Sequence, residues 1–592
     1  MEKLKKRSEI DSRFQWDLSD MIKNEEQFLS TIKQVESLAE EFSNYSGTLN
    51  QGAGRIRDCL DLYAKTMSIM ENLVVYSLMK SDEDNALSKS QVDVGKTQQL
   101  MVKTETIASF LEPELVAIDE NILFDDQLKE YKKFLEEIVR KKEHTLSEKE
   151  ERILAMSQEA TSAPNDIFSM FNNADIKFGE IEDEEGNKVE LTKGRYIPFM
   201  ESKVRAVRKQ AYETLYKEFG KYKNTLAAAY TSQIKSLKFY AKARNYESSL
   251  QASLDQDNIK EEVLDNLIES INDYLPLLHR YVKVRAKALG MEKISMYDIY
   301  VPIVDQDTEK YTYEQGCELV KDGLKVLGND YQELLEKAMT SKWIDVYENE
   351  GKTSGAYSWG TYLSHPYILL NYSGTLDSVY TLAHELGHSM HSYYSNHNQS
   401  YINSHYKIFV AEVASTVNEI LLLKHMLAIT TDSKKRAFLL NHFLESFRGT
   451  VFRQTMFAEY ERDTNQSFNN DIPLSSDDLC SMYKEINSRY YGEACESDEL
   501  ISYEWSRIPH FYMNFYVYKY ATGFLSAVAI VDAIEKQGEK AVDRYKEFLK
   551  SGGSDYPMEL LKKAGVDLTD RQPIMAGMKM FEEILDEFEN ML

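Results

Sequence analysis

Chain breakers are scarce in this sequence: 10 prolines and 25 glycines are spread over 592 residues. Inside a helix a proline costs about 3 kcal/mol and a glycine about 1 kcal/mol, so long stretches poor in both can be mostly helical if their apolar residues repeat at helical spacing. Runs rich in Lys, Glu, Leu and Ala do repeat that way, most clearly over residues 204–243 and 259–289, which predicts a mainly α chain. One β-hairpin is expected, with strands at 175–179 and 188–191 turning through Glu185, Gly186 and Asn187. The apolar, β-prone segment 366–372 reads as a further strand.

The length allows two or more domains. A soft boundary is expected near residue 200, giving a helical N-terminal domain (1–200) that ends in the hairpin and a second domain (201–592) that bears every chemical motif. The charged stretches 140–143 and 148–152 read as solvated helix faces.

The chemistry centres on His384, Glu385, Leu386, Gly387 and His388, an H-E-x-x-H preceded by the apolar run Tyr380-Thr381-Leu382-Ala383. On a helix, histidines four apart project from one face and can share one Zn²⁺, while the glutamate between them reaches a water. Six of the 11 histidines (His365, His384, His388, His391, His397 and His405) fall in this one stretch, whereas solvated histidines would scatter. Catalytic zinc usually takes three protein ligands. Downstream, the apolar helical segment 409–420 carries Glu412 and Glu419 seven apart, hence on one face, and a nearby cation would offset the cost of burying them. Glu412 is the expected third ligand, with Ser415 and Glu419 as partners that orient the ligands. His391 competes for that place, but three side chains spread over two turns of one helix converge poorly on a tetrahedral ion, so it is expected beside the site.

The segment GAYSWGTYLSHPYILLNYSGTLDSVYTLAHELGHSMH at 355–391, together with FVAEVAS at 409–415, resembles oligoendopeptidase F of the thimet-like zinc oligopeptidases. The likeness runs from Phe14-Gln15-Trp16-Asp17-Leu18 almost to the C-terminus. It implies a large helical, two-lobed metallopeptidase with a deep substrate channel and a small β element near the zinc site. It also implies one zinc ion per chain on His384, His388 and Glu412, and Glu385 as general base. In that family a histidine and tyrosines near this chain's residue 510 donate hydrogen bonds to the tetrahedral intermediate. The positions that carry over are His510, Tyr516 and Tyr520 in RIPHFYMNFYVYKYATGF (507–524). Here the chain departs from the better-known thimet pattern: the histidine-to-tyrosine intervals differ and the intervening glycines are missing, which leaves open which tyrosine acts. Read from spacing alone, Tyr512, Tyr516 and Tyr520 would line one helical face, with Tyr518 elsewhere.

The expected reaction is hydrolysis of internal peptide bonds in short, unfolded oligopeptides. Alternatives are a peptidyl dipeptidase or carboxypeptidase using the same apparatus, and, from another class, a non-catalytic peptide-binding protein. The strand at 366–372 could pair with an extended peptide by β-addition, and the glycine-bearing loop 351–360 reads as a mobile cover or a plain connection. A formal charge of −27 argues against nucleic-acid binding. The basic start MEKLKKRSEIDSRFQWDL has no apolar run behind it, so no signal peptide is expected, and no stretch is apolar enough to span a membrane. Cys59, Cys317, Cys480 and Cys495 are far apart and contain no C-x-x-C, which fits reduced thiols in a cytoplasmic protein.

Overall fold

A computed structural model describes residues 4–305 and 307–592. Helices take up 72% of it and strands 3%, so the fold is mainly α as composition predicts. Among the described residues no helix is long and apolar enough to cross a membrane. The two long helical runs are each broken once: Arg205–Lys221 and Lys223–Ala243 meet at Tyr222, and Glu261–Asp273 and Leu275–Ala288 meet at Tyr274. Pro276 lies in the first turn of the last of these, where its missing N–H is harmless but where the preceding helix cannot continue.

The chain forms two compact units, each built from separate stretches of sequence. Unit 1 comprises Met1–Lys142, Thr308–Ala428 and Ile530–Val566. It contains a three-stranded sheet of β1 (Ile344–Asp345), β2 (Tyr357–Trp359) and β3 (Tyr367–Leu369). β3 lies in the middle, parallel to β1 and antiparallel to β2, with Ser358 opposite Ile368. Tyr367 and Leu369 of β3 are buried in a cluster with Trp16, Leu73 and Met79, so the sheet is fixed to an apolar base. From β3 the chain enters helix α1 (Leu376–Asn398), whose first turn is capped by Thr375 Oγ1 accepting from the Ser378 N–H, and later forms helix α2 (Ile408–Ile429). The helix Glu539–Ser551 packs along α1.

Two expectations change here. The segment read as a loop, 351–360, contains strand β2, and it is tied down rather than loose: Thr353 and Tyr357 hydroxyls both donate to Asp82 at 2.7 Å. And because β3 has a neighbour on each side, it offers no edge to a peptide; the edge strands are β1 and β2, and the segment 14–17 bonds along the β1 side through Val346 N–H to the Phe14 carbonyl and Asp17 N–H to the Lys342 carbonyl.

Unit 2 comprises Glu143–Asp307, Ile429–Ala529 and Asp567–Leu592. Its hairpin pairs Glu180–Glu182 with Lys188–Glu190. The first strand therefore lies just beyond the expected 175–179: Asp175 ends a π turn that continues the preceding helix, and residues 176–179 are irregular. Unit 2 also holds helix α3 (Arg453–Asn469), and helix α4 (Tyr518–Gln537) begins in it.

Candidate active site

In unit 1 the i, i+4 spacing on α1 brings His384 Nε2 to 3.1 Å from His388 Nε2. Glu412 Oε2, on α2, lies 3.3 Å from the first and 3.5 Å from the second. A regular tetrahedron with ligand bonds of about 2.0–2.1 Å has edges of about 3.3–3.4 Å, so these three donors trace one face of such a site. His391 is not part of this cluster. Its ring is fully buried, stacked at 3.7 Å on Tyr406, and burial lowers its pKa to about 3.

Gly387 explains why a carboxylate from another helix reaches the pair. A Cβ at this position would lie 2.5 Å from Ser415 Cα and 2.6 Å from the Ala414 carbonyl oxygen, so only glycine lets the two backbones approach so closely. Glu419, two turns beyond Glu412, accepts a hydrogen bond from His384 Nδ1, which fixes the ring and leaves Nε2 as the donor atom for an ion. Ser415 Oγ donates to the Glu412 carbonyl at 2.9 Å and lies 3.3 Å from its carboxylate.

The electrostatics favour a positive charge here. Burial pulls the His384 pKa down, but Glu412 and Glu419 outweigh it and raise it to about 10. Glu412 shows the converse: burial acts upward, yet the two histidines hold its carboxyl well below the ordinary range. Glu385 is buried; burial raises its pKa, against the pull of the neighbouring His384 and His388. The backbone N–H of Ser358 on β2 acts on its pKa in the same downward direction, and Ser358 Oγ lies 2.8 Å from Ser389 Oγ on α1. The sequence reading missed this link. The signal was the alternating Tyr357-Ser358-Trp359 between Gly355 and Gly360, a strand pattern too short to stand out.

In unit 2 the structure gathers His510, Tyr516 and Tyr520. The His510 ring lies 6.1 Å from that of Tyr516 and 5.9 Å from that of Tyr520, and Tyr520 Oη is 3.4 Å from His510 Nε2. Burial, with a smaller push from Arg453, lowers the His510 pKa, so the ring is neutral at neutral pH. The expected stripe of three tyrosines on one helix is not formed. α4 starts only at Tyr518, and the chain reverses before it through Asn514 (φ 54°) and Phe515 (φ 57°), both left-handed. Such a conformation costs a non-glycine residue on the order of 1–3 kcal/mol. Tyr512, before the reversal, stacks at 4.4 Å on Phe168, and Tyr518 is buried.

The model described as Peptidase family M3 matches residues 198–580, and that described as Oligopeptidase F matches residues 104–178. The chain is 44% identical to Oligopeptidase PepF of Bacillus subtilis (strain 168) over 591 residues, which cover 99% of this chain and 88% of that protein. It is 38% identical to Group B oligopeptidase PepB of Streptococcus agalactiae serotype III (strain NEM316), over 99% of this chain and 98% of that one. Among solved structures, it matches oligoendopeptidase-F from Enterococcus faecium with a TM-score of 0.74 at 34% identity, covering 96% of this chain and 99% of the other.

Proposed function

The chain belongs to peptidase family M3, and from that premise we propose that it is a zinc-dependent endopeptidase that cuts internal bonds of short, unfolded oligopeptides, with one zinc ion per chain. The observation that carries this reading is the triangle of His384, His388 and Glu412 with Glu385 buried beside it. When bound there, zinc supplies a Lewis acid that polarises a peptide carbonyl and acidifies water to a pKa of about 7.

The remaining work falls to side chains of this protein. Glu419 holds His384 in the tautomer that leaves Nε2 free. A Glu385 carboxylate oxygen takes the proton of the attacking water as the water oxygen bonds to the carbonyl carbon. The same oxygen then delivers that proton to the amine nitrogen as the C–N bond breaks. Burial raises the proton affinity of Glu385, which suits both halves of that exchange. β2, as an edge strand, can offer backbone groups to an extended peptide irrespective of its side chains. His510, Tyr520 and Tyr516 are assigned to the oxyanion, each donor worth about 10²–10³ in rate. Four free, buried cysteines support a reducing, cytoplasmic location.

The test is hydrolysis of an oligopeptide blocked at its C-terminus, with products identified by mass spectrometry. Internal cleavage that stops with a chelator and returns with Zn²⁺ is expected. Cleavage only of the unblocked peptide, near its C-terminus, would instead make the enzyme a carboxypeptidase or peptidyl dipeptidase.

A further inference from the structure

Glu461 is 1% exposed on α3, and its carboxyl has one hydrogen bond among the described residues: it accepts the Phe515 backbone N–H at 2.8 Å, while Oε2 has no partner. A carboxyl buried without a counter-charge is costly, and burial raises its pKa to about 8, so it is mostly protonated at neutral pH. The residue it holds is also costly. Phe515 and its neighbour Asn514 are both left-handed, where glycine would be unstrained, and no glycine occurs between His510 and Tyr520. Two further bonds fix the same reversal: Ser253 Oγ donates to the Asn514 carbonyl at 2.6 Å, and Gln233 Nε2 to Asn514 Oδ1 at 3.2 Å.

The reversal sets where His510 stands relative to the two tyrosines. The direct link within that trio is weak: Tyr520 Oη to His510 Nε2 at 3.4 Å is long for a hydrogen bond. The backbone that connects them therefore contributes to their mutual position beside the ring contacts, and Glu461 holds that backbone next to Tyr516. We propose that Glu461 is a positioning residue for peptide hydrolysis, holding the left-handed Asn514–Phe515 turn so that His510 faces Tyr516 and Tyr520. This rests on the reading that His510 and the tyrosines serve the oxyanion.

The experiment measures kcat and KM on an internally quenched oligopeptide, zinc content and thermal midpoint for the zinc-loaded Glu461→Ala, Glu461→Gln, His510→Ala and Glu461→Ala/His510→Ala proteins. Glu461→Ala should lower kcat about 10- to 100-fold with KM within about twofold and zinc content unchanged, as a small misplacement of reacting groups would. Glu461→Gln, whose amide oxygen still accepts from Phe515, should stay within about threefold of wild type. The double variant should be no slower than His510→Ala alone, because Glu461 acts through the trio. Wild-type kcat in Glu461→Ala beside an impaired His510→Ala, or a double variant showing the product of both losses, overturns the assignment and leaves the oxyanion reading standing. Wild-type kcat in His510→Ala overturns that reading and this assignment with it. Should Glu461→Ala fail to fold, Ser253→Ala decides: about 3- to 10-fold lower kcat at an unchanged thermal midpoint is expected, and wild-type kcat overturns the proposal.

Discussion

Asn418 of α2 donates its side-chain amide to the carbonyl of Ala383 on α1, 3.0 Å away and one residue before His384, while its own carbonyl oxygen accepts from the Tyr331 hydroxyl at 3.0 Å. The bond registers one helix against the other beside the point where Gly387 meets Ser415, so the placing of Glu412 against the two histidines depends on helix contact as well as on the three side chains themselves.

Gly387→Ala should therefore act as a metal-site mutation without removing a ligand. Its Cβ forces α1 and α2 apart, at about 1–3 kcal/mol for an overpacked contact. The expected outcome is a lower thermal midpoint and at least about tenfold weaker zinc binding by competition with a chromogenic chelator. Zinc affinity equal to wild type would show that the close approach does not set the triangle.

Ligand and base should separate cleanly. Glu385→Gln is expected to keep zinc and fold but lose about 10²–10⁴ in kcat, since an amide cannot accept the proton. Glu412→Ala should lose far more zinc than His391→Ala, and Glu419→Gln should weaken binding about 10- to 100-fold. Metal analysis after dialysis, paired with peptidase assays, checks all four; near-normal activity of Glu385→Gln at full zinc content would remove Glu385 from the reaction.

Four tyrosine-to-phenylalanine variants distinguish reacting groups from packing. Tyr520→Phe, and to a lesser degree Tyr516→Phe, should lower kcat with little change in KM, as should His510→Ala. Tyr512→Phe should be silent in kcat, because that ring packs on Phe168 away from the reversal, and Tyr518→Phe should at most shift the thermal midpoint. Full kcat in all of them would move the oxyanion donors elsewhere.

His391 gives the fold an acid sensitivity. Its pKa is lowered from the ordinary 6.5 to about 3 by burial, so between those values the unfolded chain binds a proton that the folded chain refuses. Stability then falls as pH drops from 6.5 toward 3, by about 1.4 kcal/mol per unit within that window. Urea unfolding of wild type and His391→Leu from pH 7 to 4.5 should show a steeper loss for wild type; parallel curves would mean that the ring does not stay neutral.

The motif on α1 and the acidic pair on α2 were legible because helical periodicity is a local property, read within a few turns. So was the mainly α character, which follows from the scarcity of breakers. What was illegible depended on contacts distant in sequence or on unlikely backbone. Nothing local marks Phe515 as left-handed, so the tyrosines read as one helical stripe. The three residues of β2 are a strand only because β3 lies beside them, and their place at the sheet edge follows from β1 occupying the other side of β3. Nor does composition reveal that residues far apart in sequence share one compact unit.

That interleaving bears on synthesis. A nascent chain that has just cleared residue 428 already carries His384, Glu385, His388 and Glu412, yet unit 1 still lacks Ile530–Val566, including the helix that lies along α1 and sets Phe548 5.1 Å from the His391 ring. Unit 2 waits longer still, for Asp567–Leu592. Each compact unit thus closes only after its last stretch has been made, and a nascent chain that has reached residue 428 carries the candidate ligands without the finished unit around them.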